Sequence, residues 1–268
     1  MHTSSDLRGQ TVLALHAHPD DEAIFTGITL RRLAEAGARI VLVLATAGEL
    51  GESLVSLNQG ESLATRRVRE LEQSAALLGV SRLLLLGRRD SGLSGSSTGA
   101  HPMALAGADP MMLARRIADL ALTENAATLI HDDDEGIYGH PDHRAAHRVG
   151  KLAADLVGAT SYRTTVNREV LTGPAADEHL VQGAAEAASV VFGRPASDIT
   201  LTITGDDDHL AAKYAAMTAH ASQIRPGDVP EDRFADVYGT EWFRGSGAPG
   251  LLDLLGAPTG EVARLAYA

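Results

Sequence analysis

The sequence predicts an α/β fold, a mostly parallel sheet covered by helices on both faces. Two observations carry this. Short apolar, β-branched runs alternate with amphipathic stretches of helical length from Thr11 to Val157. Crossovers of that length join parallel strands and pack on the faces of the sheet. The composition agrees: of 268 residues, 44% are hydrophobic and 22% charged, as in an ordinary globular chain.

The elements follow in order. Thr11–His16 (TVLALH) is apolar and suits a buried strand. Glu22–Gly37 has helical spacing and a terminal glycine. Arg39–Ala45 (RIVLVLA) is a second strand. Gly60–Gly79 is a charged helix with an apolar stripe at Leu63, Val68, Leu71, Ala75 and Leu78. Ser81–Leu86 is a third strand, Ala108–Asn125 a helix, Thr128–His131 the end of a fourth strand and Asp142–Val157 a helix. Beyond these the pattern loosens, with a strand at Ser197–Thr204 and a last long helix at Asp206–Ser222. Ser91–Ala100 (SGLSGSSTGA) reads as a mobile loop within one domain. That domain is expected to span 1–268, with a core at about 10–225 and an irregular, Pro- and Gly-rich edge from Arg225 to Ala268.

Composition excludes several functions. The chain has no cysteine, which rules out disulfides, thiolate metal sites and a thiol nucleophile. With 35 acids against 23 bases the net charge is −12, which argues against a nucleic-acid partner. The longest apolar runs, such as Ile40–Ala45 and Leu83–Leu86, fall far short of the roughly 20 residues that span a bilayer, so no membrane insertion is expected. Met1–Gln10 lacks the basic start and apolar centre of a signal peptide, and a cytoplasmic location is the expectation.

The chemistry sits in two segments, each directly after a strand. The first is His16-Ala-His18-Pro19-Asp20-Asp21-Glu22. The second runs from His131 through Asp132-Asp133-Asp134-Glu135 and Tyr138 to His140-Pro141-Asp142-His143, with His147 one turn on. Together they hold six of the 11 histidines. Parallel sheets bind ligands at the carboxyl ends of their strands, so the fold can join the two. Imidazole and carboxylate form an N/O ligand set that suits Zn²⁺ and also Fe²⁺, Mn²⁺ or Co²⁺. His18 and Asp21, at i and i+3, can face one ion, and a histidine of the second segment completes three ligands. Asp20 then stands beside the ion as a free carboxylate, which is what a general base requires.

Plainer readings exist for each residue. Acids at 20–22 stabilise a helix N-terminus, and Pro-Asp pairs start helices. His16 reads as a packed strand residue, and His147 as a supporting or surface one. Jointly these lose force, because helix capping alone does not call for two His-Pro-Asp segments, each after a strand.

Ala17-His18-Pro19-Asp20-Asp21-Glu22 paired with Tyr138-Gly139-His140-Pro141-Asp142-His143 resembles the LmbE-like, or PIG-L, family of zinc-dependent N-deacetylases. That family includes N-acetylglucosaminyl-phosphatidylinositol deacetylases and the deacetylases and amidases of mycothiol and bacillithiol metabolism. The resemblance covers about residues 10–225 and implies a Rossmann-like three-layer fold. It implies zinc on His18, Asp21 and His143. Asp20 would be the base and later the acid, and Asp142 would orient a histidine. His140 would face the developing oxyanion or act as the acid, and Tyr138 would polarise the substrate carbonyl. Thr46-Ala-Gly-Glu49-Leu-Gly-Glu52, Arg67 with Glu70, and Arg89-Asp90-Ser91-Gly92 match further family segments, which implies substrate contacts for Glu49, Arg67 and Asp90. His220-Ala-Ser-Gln223 matches a late one. Their plain alternatives are loop charges, a helix-surface ion pair and a turn.

The implied activity is hydrolysis of a linear amide C–N bond in a small N-acyl amino-sugar, with homo-oligomerisation left open. The run Asp132–Glu135 departs from the family pattern, and four acids beside a metal favour a neutral or cationic glycoside over an anionic one. Alternatives are a mycothiol-conjugate-type amidase, a metal-dependent phosphoesterase using the 132–135 acids, and a non-catalytic sugar-binding module.

Overall fold

The computed structural model describes residues 6–170, 179–188, 192–246 and 249–258. One sheet of eight strands organises them, in the order β3-β2-β1-β4-β5-β7-β6-β8. Strands β1 (Thr11–His16), β2 (Arg39–Leu44), β3 (Arg82–Leu85), β4 (Ala126–Asp132) and β5 (Thr160–Thr165) are mutually parallel. Strand β7 (Thr240–Gly245) runs antiparallel between β5 and β6 (Leu201–Thr204), and β8 (Ala257–Pro258) closes the edge.

The period-2 alternation of β1 sorts its side chains into two cores. Val12 and Ala14 face a core shared with Ile28, Leu30 and Leu33 of α1 (Asp21–Glu35), Leu71 of α2 (Leu63–Leu77) and Met217 of α6 (Asp207–Ala219). Leu13 and Leu15 face the other, against Leu113 and Ile117 of α3 (Pro110–Thr123) and Val149 of α4 (Pro141–Val157). The result is the expected α/β/α three-layer, Rossmann-like arrangement. Full burial of each Val, Leu, Ile or Met side chain among them contributes about 1.5–3 kcal/mol. Gly150 lets α4 lie close on the sheet, since a Cβ there would stand 2.5 Å from the His131 Cβ.

Chain order places the site. From β1 the chain turns through α1 to β2 and β3 on one side, then crosses through α3 to β4 on the other side of β1. The order of strand addition therefore reverses between the parallel strands β1 and β4, and their carboxyl ends open a crevice there. The segments after both strands meet in it.

The structure corrects the sequence reading in four places. A strand, β5, and a helix, α5 (Leu180–Ala188), lie in the region where the pattern loosens and no element was expected. The segment from Arg225 is not an irregular edge: β7 inserts in the sheet with Trp242 and Phe243 buried. The strand expected at Ser197–Thr204 begins only at Leu201, after a 3₁₀ turn at Ala196–Asp198. The Ser91–Ala100 loop ends in a 3₁₀ turn, and Thr98 Oγ1 donates to the Ser91 carbonyl at 2.8 Å. Part of the expected edge, 259–268, lies outside the described residues.

Candidate metal and active site

His18 ends the turn after β1, and Asp21 is the first residue of α1. The Asp21 carboxylate accepts the His18 backbone N–H at 2.8 Å, which folds the Pro19-Asp20 corner back on itself. Asp20 pays for this corner with a φ of +108°. Such backbone costs a non-glycine residue on the order of 1–3 kcal/mol. The second segment closes the site through a turn at Gly136–Gly139, after which His140 caps α4 and His143 points inward from its first turn.

His18, Asp21 and His143 are all buried and converge. Asp21 Oδ2 lies 3.7 Å from His18 Nδ1, and Asp21 Oδ1 lies 3.6 Å from His143 Nε2. Those separations are too long for hydrogen bonds. They fit donors sharing one ion, because bonds of about 2.1 Å at tetrahedral angles place ligand atoms about 3.4 Å apart. A carboxylate stands behind each imidazole. Asp142 Oδ2 is 3.3 Å from His18 Nε2, and Asp132 Oδ2 is 2.9 Å from His143 Nδ1. Carboxylates in that position fix the ring orientation and raise the basicity of a metal-binding histidine.

Electrostatics support the same reading. Burial pushes the Asp21 carboxyl up to about 6, against the pull of His143 and His18. Burial acts to lower His143, but the Asp21 and Asp132 carboxylates outweigh it and hold it up at about 10. Burial and the His18 and His143 rings press His140 down to about 2.

Beyond the triad opens a cleft of about 320 Å³, whose walls include Asp20, Tyr138, His140, Asp90, Glu52 and Gln223. Asp20 is partly exposed to it, with Arg67 Nη2 3.1 Å from its Oδ2. The same guanidinium donates to the Pro19 and Gly48 carbonyls. Gly48 has φ +62°, and a Cβ there would meet Arg67 Nη1 at 2.3 Å, so the Thr46–Glu52 loop needs glycine to admit this arginine. Tyr138 Oη is 3.4 Å from His143 Nε2, and burial holds the phenol well above its ordinary range.

The other expected residues divide. Asp90 is at the cleft wall, its Oδ1 accepting Gly92 N–H at 2.8 Å and lying 3.8 Å from His18 Nε2. Arg67 lines the cleft, but its Nη groups are turned to backbone and to Asp20. Glu49 is not brought to the cleft wall: it accepts the Asp90 backbone N–H at 3.1 Å and joins two loops, while Glu52 takes the wall position. His16 is buried, bridging Asp132 (2.9 Å) and Thr26 (3.0 Å). His131 and His147 pack edge to face at 5.2 Å away from the triad, with each Nδ1 on the Asp132 carbonyl.

The acid run needs a correction. Asp132 and Asp133 are fully buried, Asp132 between His16 and His143 and Asp133 bonded to Thr165 Oγ1 at 2.5 Å. Asp134 pairs with Arg194 and Arg244, and Glu135 with Arg194. None of the four lines the cleft. The electrostatic ground for excluding anionic substrates therefore falls, and so does the ground for a two-metal phosphoesterase built on these acids. Sequence reasoning missed Asp132 as a support of His143. The available signal was its place as the last residue of a buried strand.

Comparison with known proteins agrees with this geometry. Residues 13–154 match the family described as PIG-L: GlcNAc-PI de-N-acetylase, a span that brackets both histidine segments. A curated relative from Thermomonospora curvata, 1D-myo-inositol 2-acetamido-2-deoxy-alpha-D-glucopyranoside deacetylase, is 33% identical over 239 residues, 80% of each chain. The solved N,N'-diacetylchitobiose deacetylase from Pyrococcus horikoshii superposes with TM-score 0.54 at 18% identity, over 88% of this chain and 84% of its own. The Pseudomonas putida 4-carboxy-2-hydroxymuconate hydratase does so at 0.55 and 17%, over 90% and 98%, so the fold alone does not select a reaction. Sequence does select: with the family match covering more than half of the chain and identity to a deacetylase above 30%, this protein belongs to the PIG-L family of de-N-acetylases.

Proposed function

We propose that the protein is a metal-dependent hydrolase that removes the N-acyl group from a small amino-sugar glycoside. The observation that carries the reading is the Asp20 carboxylate, partly exposed at the cleft wall and paired with Arg67, next to three buried, convergent N/O donors. The curated relative's N-acetylglucosaminide substrate supports the sugar class.

His18, Asp21 and His143 would hold the ion, with zinc the first choice for this donor set and Fe²⁺, Mn²⁺ or Co²⁺ able to replace it. Bound there, a divalent cation acidifies water and polarises the acyl carbonyl. Asp20 takes the proton of the attacking water. His140 acts as a neutral donor: its Nδ1 accepts the Asp142 backbone N–H at 3.2 Å, which leaves Nε2–H for the developing oxyanion. Asp20, the carboxylate at the cleft wall that took the proton, returns it to the leaving amine. Tyr138, kept neutral by burial, donates to the same oxygen. Asp90, Glu52 and Gln223 offer partners for sugar hydroxyls.

The test is a panel of N-acetylated amino-sugar glycosides assayed for acetate release, with metal content measured on the same sample. Acetate release from at least one sugar is expected. None from any, at one metal per chain, overturns the reading. Asp20→Asn should keep its metal and lose at least about 10²-fold in kcat.

A further inference from the structure

Glu22 follows a proposed metal ligand yet lines no part of the cleft. It is fully buried, and every contact of its carboxylate is spoken for. Oε2 accepts the Asp20 backbone N–H at 3.0 Å. Oε1 faces His220 Nε2 at 2.7 Å and accepts Ser74 Oγ at 2.5 Å. A stabilising acid in the first turn of a helix needs none of this: the helix dipole acts on exposed carboxylates. Here the carboxylate instead reaches back to the one residue of the corner whose φ is strained, +108° at Asp20.

We propose that Glu22, braced by Ser74 and His220, is a positioning residue that holds Asp20 in its strained backbone and so aims the Asp20 carboxylate into the cleft. The inference rests on Asp20 as the base. Asp20 is then pinned at two points: Arg67 grips its carboxylate and the Pro19 carbonyl, and Glu22 grips its amide. Released at the amide, the backbone relaxes toward negative φ and the carboxylate pivots about Cα. The brace also accounts for the His220–Gln223 segment. His220 meets Glu22, while Ser222 donates to both oxygens of Glu70 on α2, at 3.0 Å from its N–H and 2.6 Å from Oγ. The end of α6 thus buttresses the first turn of α1 from a position 198 residues later.

The experiment compares Glu22→Gln and Glu22→Leu in the full, metal-loaded chain. It reads kcat, KM, metal per chain and the NMR hydrogen exchange of the Asp20 amide. Gln can keep its carbonyl on the Asp20 N–H while its amide faces His220 and Ser74, so it should stay within about tenfold of wild-type kcat. Leu removes the acceptor. A misaimed base should cost it about 10²-fold in kcat with metal retained, KM nearly unchanged and faster Asp20 exchange. Ser74→Ala, a milder change, should move the same quantities in the same direction. Full kcat in folded Glu22→Leu overturns the proposal. So does unchanged Asp20 exchange in Ser74→Ala, or metal lost together with kcat in that variant. Exchange is independent of turnover, so a wild-type chain that releases no acetate would count against the function and leave this test standing.

Discussion

Two buried charge clusters flank α1, and they are finished differently. At the helix N-terminus, Asp21 stands 3.6–3.7 Å from the two imidazoles it faces, and their shared space is left open to a cleft. At mid-helix, Glu241 of β7 accepts Lys213 Nζ at 2.8 Å, the Ile28 and Thr29 N–H groups at 2.8 and 2.9 Å, and Thr29 Oγ1 at 2.6 Å. Both clusters are buried, and both would be read from burial alone as important. Spacing separates them: donors at hydrogen-bond distance satisfy one another, and donors held just beyond it wait for a third party. The Lys213–Glu241 cluster is a fastener, and the triad is a receptacle.

The comparison breaks first at the triad. His143→Ala should leave a folded chain that loses its metal and all metal-dependent activity, read by metal analysis after gel filtration. A full equivalent of metal in that variant would move the ligand elsewhere. At the fastener the effect should be on folding. Lys213→Met strands a buried carboxylate and should cost about 3–5 kcal/mol in denaturant unfolding. Metal content of the folded fraction should not change, and a loss of metal there would erase the distinction drawn between the clusters.

Smaller effects sharpen it. Asp132→Asn keeps the shape behind His143 but removes the charge, and should weaken metal binding by about 10–100-fold in a competitive chelator titration. The smallest is a pH slope. With no ion, His143 is raised to about 10, so around neutral pH it must shed a proton to become a ligand. Metal affinity should therefore rise with pH, by about tenfold per unit between pH 7 and 8. Below about 6 Asp21 also holds a proton, and the slope should steepen. A flat affinity across this range would mean that the triad does not carry these protons.

How far the sequence could be read follows from what each element depends on. Strand β1 was legible to the residue because TVLALH is buried on both faces and reads as an apolar run. Strand β5, TSYRTT, was invisible for the converse reason. It seams the parallel half to the antiparallel one with polar side chains that find partners, such as Thr164 on the Phe25 carbonyl and Thr165 on Asp133. Strand β7 hid among Pro and Gly flanks, although its Glu241 fastens α1. At the site, the convergence of His18, Asp21 and His143 could be anticipated because His18 and Asp21 lie within one turn of chain and both histidine segments follow neighbouring parallel strands. The part of Asp132 was not, since a carboxylate in an acidic run looks solvated until the fold buries it between two rings. Glu22 hid in plain view, reading as a helix-start acid until Ser74 and His220 came into contact with it.

One oxygen atom links the two sides of the crevice. Asp142 Oδ2 stands 3.3 Å from the His18 imidazole and also accepts the Ser91 backbone N–H at 2.9 Å, next to Asp90 at the cleft wall. The loop that would grip a sugar and the ring that would grip an ion thus lean on the same support, and neither can be shifted without disturbing the other. In engineering terms the two share a datum. Redesigning the 90–92 loop for a new sugar would also retune the metal, and such variants are best screened for both properties at once.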